Sequence, residues 1–474
     1  KEKKKENDSE YNAARHEYTT LTREVRIDTK EREAVEQSVM AYLYLALDAY
    51  GRALSSASCD SDCSRHVFRL ISLWFRNCSH EIDDVHEKVC SWLPSIPSYH
   101  FVPLAYQIFS RIDTASDNSQ FQSVLQNLVC KICIEHPYHG LVQIVALANG
   151  NNVANSTKES IFTQNVGKVT AVKKLMKRIK SSGSVFVAEL LDSYCALAEA
   201  YITLAMMPTK ELVASKKTKN IPFSSMKSIP RDLELTRCLE SRNLHMPCVL
   251  TNPPQVRPDA NYGNGETDPI GSERILSYEA TFSLTDSGLH RPKIVICKGS
   301  QGGVYKELVK GDDDIRQDAV MQQVFSSMNV FLRNQKQQTP NDRNLRLVTY
   351  NCVPLSPAAG VLQWVDETIA IGHYLTTPRS GAHDRYYPGE WSNLLCRQHM
   401  TNCPQTAKRV AFDEVCKHFS PAFRFFFLER FSYSPQLWYT ARMAYTRSCA
   451  VNSFVGHILG IGDRHTQNIL IKES

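Results

Sequence analysis

The sequence contains no uninterrupted apolar run near the ~18 residues that a membrane-spanning helix needs. Its greasiest stretch, Phe423 to Leu428, is short and broken by Arg424. A helical span is thereby excluded, and the expectation is a soluble protein with no membrane partner. The chain begins with Lys1 rather than Met, and Lys1-Glu2-Lys3-Lys4-Lys5-Glu6 has no apolar centre for a secretory signal, so this end is expected to be internal to something longer. Excess charge of one sign is also missing. The formal charge is +6, from 55 Lys and Arg against 49 Asp and Glu, too balanced to imply by itself a surface for polyanions, so direct nucleic-acid contact has no compositional support. The 15 cysteines come without a secretory cue, which fits reduced thiols in cytosol or nucleus better than a disulfide framework. Cys130-x2-Cys133-x2-His136-x2-His139 offers ligand types that suit zinc at a spacing that matches no common site; it reads instead as small buried thiols on a helix end before a His-Pro turn.

What is present is ordinary globular material, 42% apolar and 22% charged over 474 residues, enough for about three domains. From about residue 33 to 207, apolar residues recur at helical spacing: Val67, Leu70, Ile71 and Trp74; Phe121, Val124, Leu125, Leu128 and Ile132; Leu190, Tyr194, Leu197, Tyr201 and Leu204. Breaks at Pro94, Pro97 and Pro137 separate successive amphipathic helices. Stacked helical pairs of the solenoid type are expected, without a strict repeat period. Between Pro208 and Gly271 prolines accumulate among Lys, Ser and Asn, and the segment reads as a linker leading into a new domain. Strands are predicted from Leu276 to Leu284, Lys293 to Cys297, Val304 to Lys310, Leu345 to Val353 and Val361 to Val365. A helix presenting Val320, Val324, Met328 and Phe331 on one face follows the third. Five strands with one inserted helix, then a helical remainder, is the order of a kinase small lobe leading into a large lobe.

Phosphoryl transfer needs charge neutralised on phosphates, metal ligands, and a group that aligns the attacking hydroxyl. Asp463 and Asn468 are five residues apart on a short loop between apolar Phe454 to Leu459 and strand-like Ile469 to Ile471. An Asp that accepts or orients the hydroxyl proton and an Asn that holds magnesium is the division of labour this spacing allows. An Asp-Arg-His triplet alone would be a solvated turn; Asn468 and the flanking apolar segments raise it above that. Lys310 ends a strand and precedes Gly311-Asp312-Asp313-Asp314-Ile315-Arg316-Gln317-Asp318 at the opening of a helix, where a lysine can contact phosphate while a carboxylate holds its ammonium. The plain alternative is a surface lysine before acidic helix-start residues. Trp364-Val365 ends the fifth strand, where an indole could stack on adenine or merely fill a core. The loop Asp286 to Arg291, between the first two strands, is a positional candidate for covering phosphates.

The order Asp463-Arg464-His465, inverted relative to the His-Arg-Asp of ordinary protein kinases, is that of the phosphatidylinositol-kinase-like superfamily. With Leu308 to Phe325, Ala444 to Ser448 and Ile458 to Ile471, the chain resembles the phosphatidylinositol 3-kinase-related protein kinases, and Ala319-Val320-Met321-Gln322-Gln323 favours one branch of them. Val67 to Trp74, Phe101 to Gln107 and Ala146 to Asn149 resemble the end of the helical FAT domain that precedes catalysis in that family. The resemblance implies a multidomain chain: an all-α, helical-repeat, FAT-like region at 1–207, a Pro-rich linker at 208–271, an α+β bilobal kinase domain with its N-lobe at 272–365, and a C-lobe at 366–474 cut short after the catalytic loop. It implies ATP with Mg2+, or Mn2+, as cofactors. Lys310 would contact the ATP phosphates with Asp313 and Asp318 supporting it, Tyr350 and Leu362 would line the adenine pocket, Trp364 and Val365 form the hinge, Asp463, His465 and Lys310 serve catalysis, and Asn468 bind the metal. It further implies Ser-Gln and Thr-Gln protein substrates in DNA-damage checkpoint and repair signalling, a nuclear location, a homodimer through the helical region, and a partner complex that senses DNA ends.

Because the family's second metal-binding Asp lies beyond the catalytic loop, residues 1–474 alone are expected to be inactive. A lipid kinase is the alternative, since the superfamily shares this loop; the preceding helical domain favours the protein kinase. A scaffold with a dead kinase domain is the third reading, disfavoured because a scaffold has no chemical need for Lys310, Asp463 and Asn468 together.

Overall fold

The computed structural model describes residues 2–58, 63–77, 83–113, 120–151, 166–237, 244, 273–285, 291–334 and 344–473. The chain forms two compact units. The first comprises residues 1–305 with 309–313 and 354–361; the second comprises 306–308, 314–353 and 362–474.

The first unit opens on helix α1 (Glu2–Ser56), followed by α2 (Ser64–Arg76), α3 (Asp83–Trp92), α4 (Ala105–Phe109), α5 (Gln120–Glu135), α6 (Pro137–Ala148), α7 (Val166–Ser182), α8 (Val185–Met206) and α9 (Lys210–Ala214). Helix α1 starts well before residue 33, where helical spacing was first expected. The first 50 residues contain neither Gly nor Pro, so nothing interrupts the hydrogen-bond ladder even where no apolar face is buried. The first glycine, Gly51, lies where a Cβ would come 2.4 Å from the Trp92 ring, and the Trp92 indole donates to Asp48 Oδ1 at 2.8 Å. A bare backbone at Gly51 is what lets α1 and α3 close together.

The predicted stripes are the buried ones: Val67, Leu70, Ile71 and Trp74 on α2, Phe121, Val124, Leu125, Leu128 and Ile132 on α5, and Leu190, Tyr194, Leu197, Tyr201 and Leu204 on α8. Pro137 occupies the first turn of α6, where its missing N–H is harmless. Cys133 is buried and burial pushes its thiol well up; a Cβ on Gly140 would stand 3.0 Å from its sulfur. His136 Nε2 is bonded to Ser98 Oγ at 2.9 Å. Among the described residues no group of three or more His, Cys, Asp and Glu side chains is arranged to hold a metal ion, and no helix is long and apolar enough to cross a membrane.

Strands β1 (Ile221–Pro222), β2 (Ile275–Tyr278), β3 (Thr281–Leu284), β4 (Lys293–Gly299), β5 (Val304–Gly311), β6 (Cys352–Ser356) and β7 (Ala359–Gln363) form one sheet in the order β1-β3-β4-β5-β7-β6, with β2 also on β4. The sheet thus begins inside the segment read as a linker: Ile221 pairs with Phe282, and Phe223, Ile229 and Leu235 are buried. The single strand expected from Leu276 to Leu284 is two strands on the same partner. A register irregularity between Ile275 and Ser277 buries Ile275 and leaves Leu276 64% exposed, because one slipped residue reverses the face. The loop 286–290 lies outside the described residues.

In the second unit, helix α10 (Ile315–Asn334) follows β5. Its packed face is shifted from the expected one: Met328 packs on Leu347, Val451 and Val455 as expected, but in company with Phe325 and Leu332, while Val320 and Phe331 are exposed. The expected strand from Leu345 begins only at Cys352, because side chains answer the backbone ahead of it. Leu347 N–H donates to Asn329 Oδ1 at 2.7 Å and its carbonyl accepts from Asn329 Nδ2 at 2.9 Å; Tyr350 N–H donates to Gln322 Oε1 at 3.1 Å. With those groups satisfied by α10, no strand partner is required. The unit continues through β8 (Thr368–Ala370), α11 (Ile371–Thr376), α12 (Ala382–Tyr386), α13 (Asn393–Asn402), α14 (Lys408–His418), α15 (Arg424–Phe431), α16 (Pro435–Leu459) and β9 (Leu470–Lys472). Tyr374, Ala422, Phe426, Phe427 and Ile471 form its core.

Candidate active site

Helix α16 ends in a Schellman closure that starts the loop. Gly460 stands at φ 64, its N–H bonds His457 O at 3.3 Å, and Ile461 N–H bonds Gly456 O at 2.9 Å. The loop then turns through Asp463, itself left-handed at φ 54, a conformation that non-glycine residues hold only where surroundings enforce it. The turn brings Asn468 Nδ2 to 2.9 Å from Asp463 Oδ2 and 3.1 Å from Asp463 O. Gln467 N–H donates to His465 Nδ1 at 3.2 Å, so the neutral ring carries its proton on Nε2, which lies 3.7 Å from Asp463 Oδ1. Asp463 and His465 side chains are 77% and 56% exposed, open to a substrate.

The loop is tied down on its far side. Strands β8 and β9 pair antiparallel, Ile369 opposite Ile471; Ile371 N–H donates to Ile469 O at 2.9 Å and Gly372 N–H to Thr466 O at 2.8 Å. A Cβ on Gly372 would come 2.4 Å from Gln467 Nε2. Gln467 and Gly372 carried no sequence signal of their own; only the fold makes them neighbours of the loop.

The remaining predicted residues fall into two groups, one per unit. In the first unit, Lys310 Nζ is 3.4 Å from Asp313 Oδ2, and Asp313 N–H approaches Ala358 O at 3.4 Å. In the second, Asp314 caps α10 and holds Arg316 through two bonds of 2.7 and 2.8 Å. Leu362 and Cys352 surround Ile315, with Tyr350 and Leu308 against them. Burial pushes the Tyr350 phenol up to about 12, with the charge of Asp318 adding to the rise and that of Arg464 opposing it. Arg464, unremarked in the sequence except as the middle of a triplet, thus lies within electrostatic reach of Tyr350. Trp364, half-buried just past β7, donates its backbone N–H to Lys306 O at 3.1 Å, and Val365 O accepts from Thr368 Oγ1 at 2.9 Å. Lys306 pairs with Asp366 at 3.3 Å, a contact 60 residues apart that no local pattern announces.

For a hard cation the donor chemistry fits. Asn468 spends its amide nitrogen on Asp463, leaving its exposed carboxamide oxygen, beside a carboxylate, as the kind of ligand magnesium takes.

A helical region leading into a sheet with one helix inserted in its sequence, then a helical lobe carrying an Asp-x-His-x2-Asn loop, defines the class as a bilobal kinase-type fold. Residues 304–474 match the family model of phosphatidylinositol 3- and 4-kinase. Over 461 residues, 96% of this chain, it is 36% identical to a serine/threonine-protein kinase ATM of Arabidopsis thaliana, and over 467 residues, again 96%, it is 35% identical to a serine-protein kinase ATM of Sus scrofa. The chain spans only 11% and 14% of those relatives. Among solved structures, the FAT and kinase domain of CtTel1 aligns with TM-score 0.78 at 28% identity, covering 94% of this chain and 29% of that one. The complete CtTel1 dimer with C2 symmetry aligns with the same score and identity, over 94% of this chain and 15% of that one. The chain is therefore homologous along nearly its whole length to the ATM/Tel1 serine/threonine-protein kinases.

Proposed function

We propose that the chain carries the phosphotransfer site of an ATP-dependent serine/threonine protein kinase. The observation that carries the reading is the Asp463–Asn468 contact at 2.9 Å on a loop anchored by β9 and α11. Bound ATP with Mg2+, or Mn2+, supplies the γ-phosphoryl group and neutralises its charge. Asp463 orients the substrate hydroxyl and takes its proton, so that the oxygen bonds to the γ-phosphorus as the bond from that phosphorus to the β,γ-bridging oxygen breaks and ADP leaves. His465 keeps its Nε2–H toward Asp463 and stabilises the charge there. Asn468 offers its carboxamide oxygen to the metal, Lys310 its ammonium to the phosphates, and Asp313 orients that ammonium. Asp318 supports the phosphate-binding lysine. Tyr350 and Leu362 line the adenine pocket and Trp364-Val365 form the hinge.

On the family resemblance of the motifs, the substrates are proteins bearing Ser or Thr followed by Gln, the pathway is DNA-damage checkpoint and repair signalling in the nucleus, and activation comes through a partner complex that senses DNA ends. Homodimerisation through the helical region accords with the C2 dimer of the similar CtTel1. The decisive experiment gives the protein bearing this chain labelled ATP with a Ser-Gln peptide, the same peptide with Gln replaced by Ala, and phosphatidylinositol vesicles. Label in the Ser-Gln peptide, lost in D463N, supports the reading; label in the lipid alone replaces it with a lipid kinase.

A further inference from the structure

Helix α8 ends on the sheet, and two residues of its last turns, on one face, meet different strands. Tyr201, fully buried, shares a hydroxyl hydrogen bond of 2.5 Å with Tyr278 of β2. Ala205 carries one of the orphan carbonyls of a helix terminus, and it accepts from Lys293 Nζ of β4 at 2.6 Å. Lys293 is only 2% exposed. Burial lowers its pKa from 10.5 to about 8, with Asp312 working the other way. A lysine buried at such expense to its charge needs compensation, and the negative end of α8 together with Asp312 supplies it.

The same carbonyl faces the residue that follows Lys310. A Cβ on Gly311 would stand 2.3 Å from Ala205 O, closer than any side chain tolerates, so the strand passes the helix end only as glycine. Asp312 then takes φ 54 before Asp313 reaches Lys310. One carbonyl is thus gripped by Lys293 and pressed on by Gly311, with Asp312 as the charged group acting on Lys293 from the same segment.

We propose that Lys293 is a positioning residue for the phosphate-binding lysine: it ties the last turn of α8 to the Gly311–Asp312 backbone and so fixes where Lys310 and Asp313 stand. The proposal rests on the assignment of Lys310 to ATP phosphates. Lys293 itself touches no substrate, and the helical region acts on the site through this joint.

The test compares wild type with Lys293→Met, Lys293→Arg and Gly311→Ala in the protein bearing this chain, by hydrogen exchange over residues 309–314 and by steady-state kinetics. K293M should lose amide protection at 309–314 and raise KM for ATP about tenfold with the peptide KM unchanged. K293R, still a donor to Ala205 O, should recover most of both. G311A should reproduce the K293M defect, and the double variant should be no worse than either single one. Unchanged exchange in K293M overturns the joint. Altered exchange with unaltered KM for ATP overturns its role in positioning, as does equal damage to both KM values through general destabilisation. If wild type binds no ATP, the kinase reading itself fails, and exchange still decides whether the joint exists.

Discussion

Asp463 at φ 54 holds a backbone that costs a non-glycine residue about 1–3 kcal/mol, and that turn is what sets its carboxylate against Asn468. Replacing Asp463 by Asn keeps the shape and removes the proposed base. We expect D463N to lower kcat about 1,000-fold with little change in KM for ATP, and N468A to weaken metal binding so that the Mg2+ concentration for half-maximal rate rises; steady-state kinetics across a magnesium titration checks both. At residue scale one buried group responds to pH. His136, between α5 and α6, has its pKa lowered from 6.5 to about 4 by burial, with the charges of His139 and Lys131 adding to the effect. The unfolded chain binds that proton more readily, so the stabilisation from neutral His136 is complete above pH 6.5 and is lost as the pH falls from 6.5 toward 4. Thermal unfolding should therefore drop across that window, and the drop should be shallower in His136→Gln. The identity of Asp463, His465 and Asn468 as a group was legible because all three sit within six residues; the tautomer of His465 was not, since it depends on where the Gln467 N–H points.

At the scale of elements, the loop is only as accurate as the helix end and the ladder that hold it. Gly460→Ala places a Cβ at φ 64, which should destabilise the protein by about 1 kcal/mol and lower kcat more than it alters ATP binding. Gly372→Ala would push on Gln467 Nε2 at 2.4 Å and Thr466 Oγ1 at 2.9 Å; the side-chain end of Gln467 can swing away, so the fold should survive while kcat falls. Circular dichroism melts beside kinetics would separate the two outcomes, and a G372A enzyme with wild-type kcat would show that α11 does not support the loop. Helices were readable wherever a buried stripe followed their period, as on α2, α5 and α8. Two exceptions around α10 share a cause. The first part of the strand expected from Leu345 to Val353 is not one, because Asn329 and Gln322 of α10 take the backbone hydrogen bonds of Leu347 and Tyr350; the same engagement turns Phe325 and Leu332 inward beside Met328, in place of Val320 and Phe331. Period alone cannot say which neighbour an amphipathic face will meet.

On the scale of the molecule, each unit has its own core. Trp74 is fully buried and its indole N–H donates to His86 Nδ1 at 3.1 Å, while Phe426 is buried against Tyr374 at 5.2 Å between ring centres. Trp74→Ala should cost the first unit about 3–5 kcal/mol, through the cavity and the stranded histidine acceptor; Phe426→Ala should cost the second a similar amount. Denaturant titration followed by circular dichroism measures both losses. By itself the sequence determined what short-range chemistry determines: the buried stripes of the helical region, the strand-to-helix turn at Lys310, and a loop whose Asp463, His465 and Asn468 are neighbours in the chain. Tertiary structure decided the rest. The strand hidden at Ile221, the true face of α10, the Lys306–Asp366 pair and the capping of α8 by Lys293 each join residues tens of positions apart, and such contacts depend on which surfaces meet once the elements have packed.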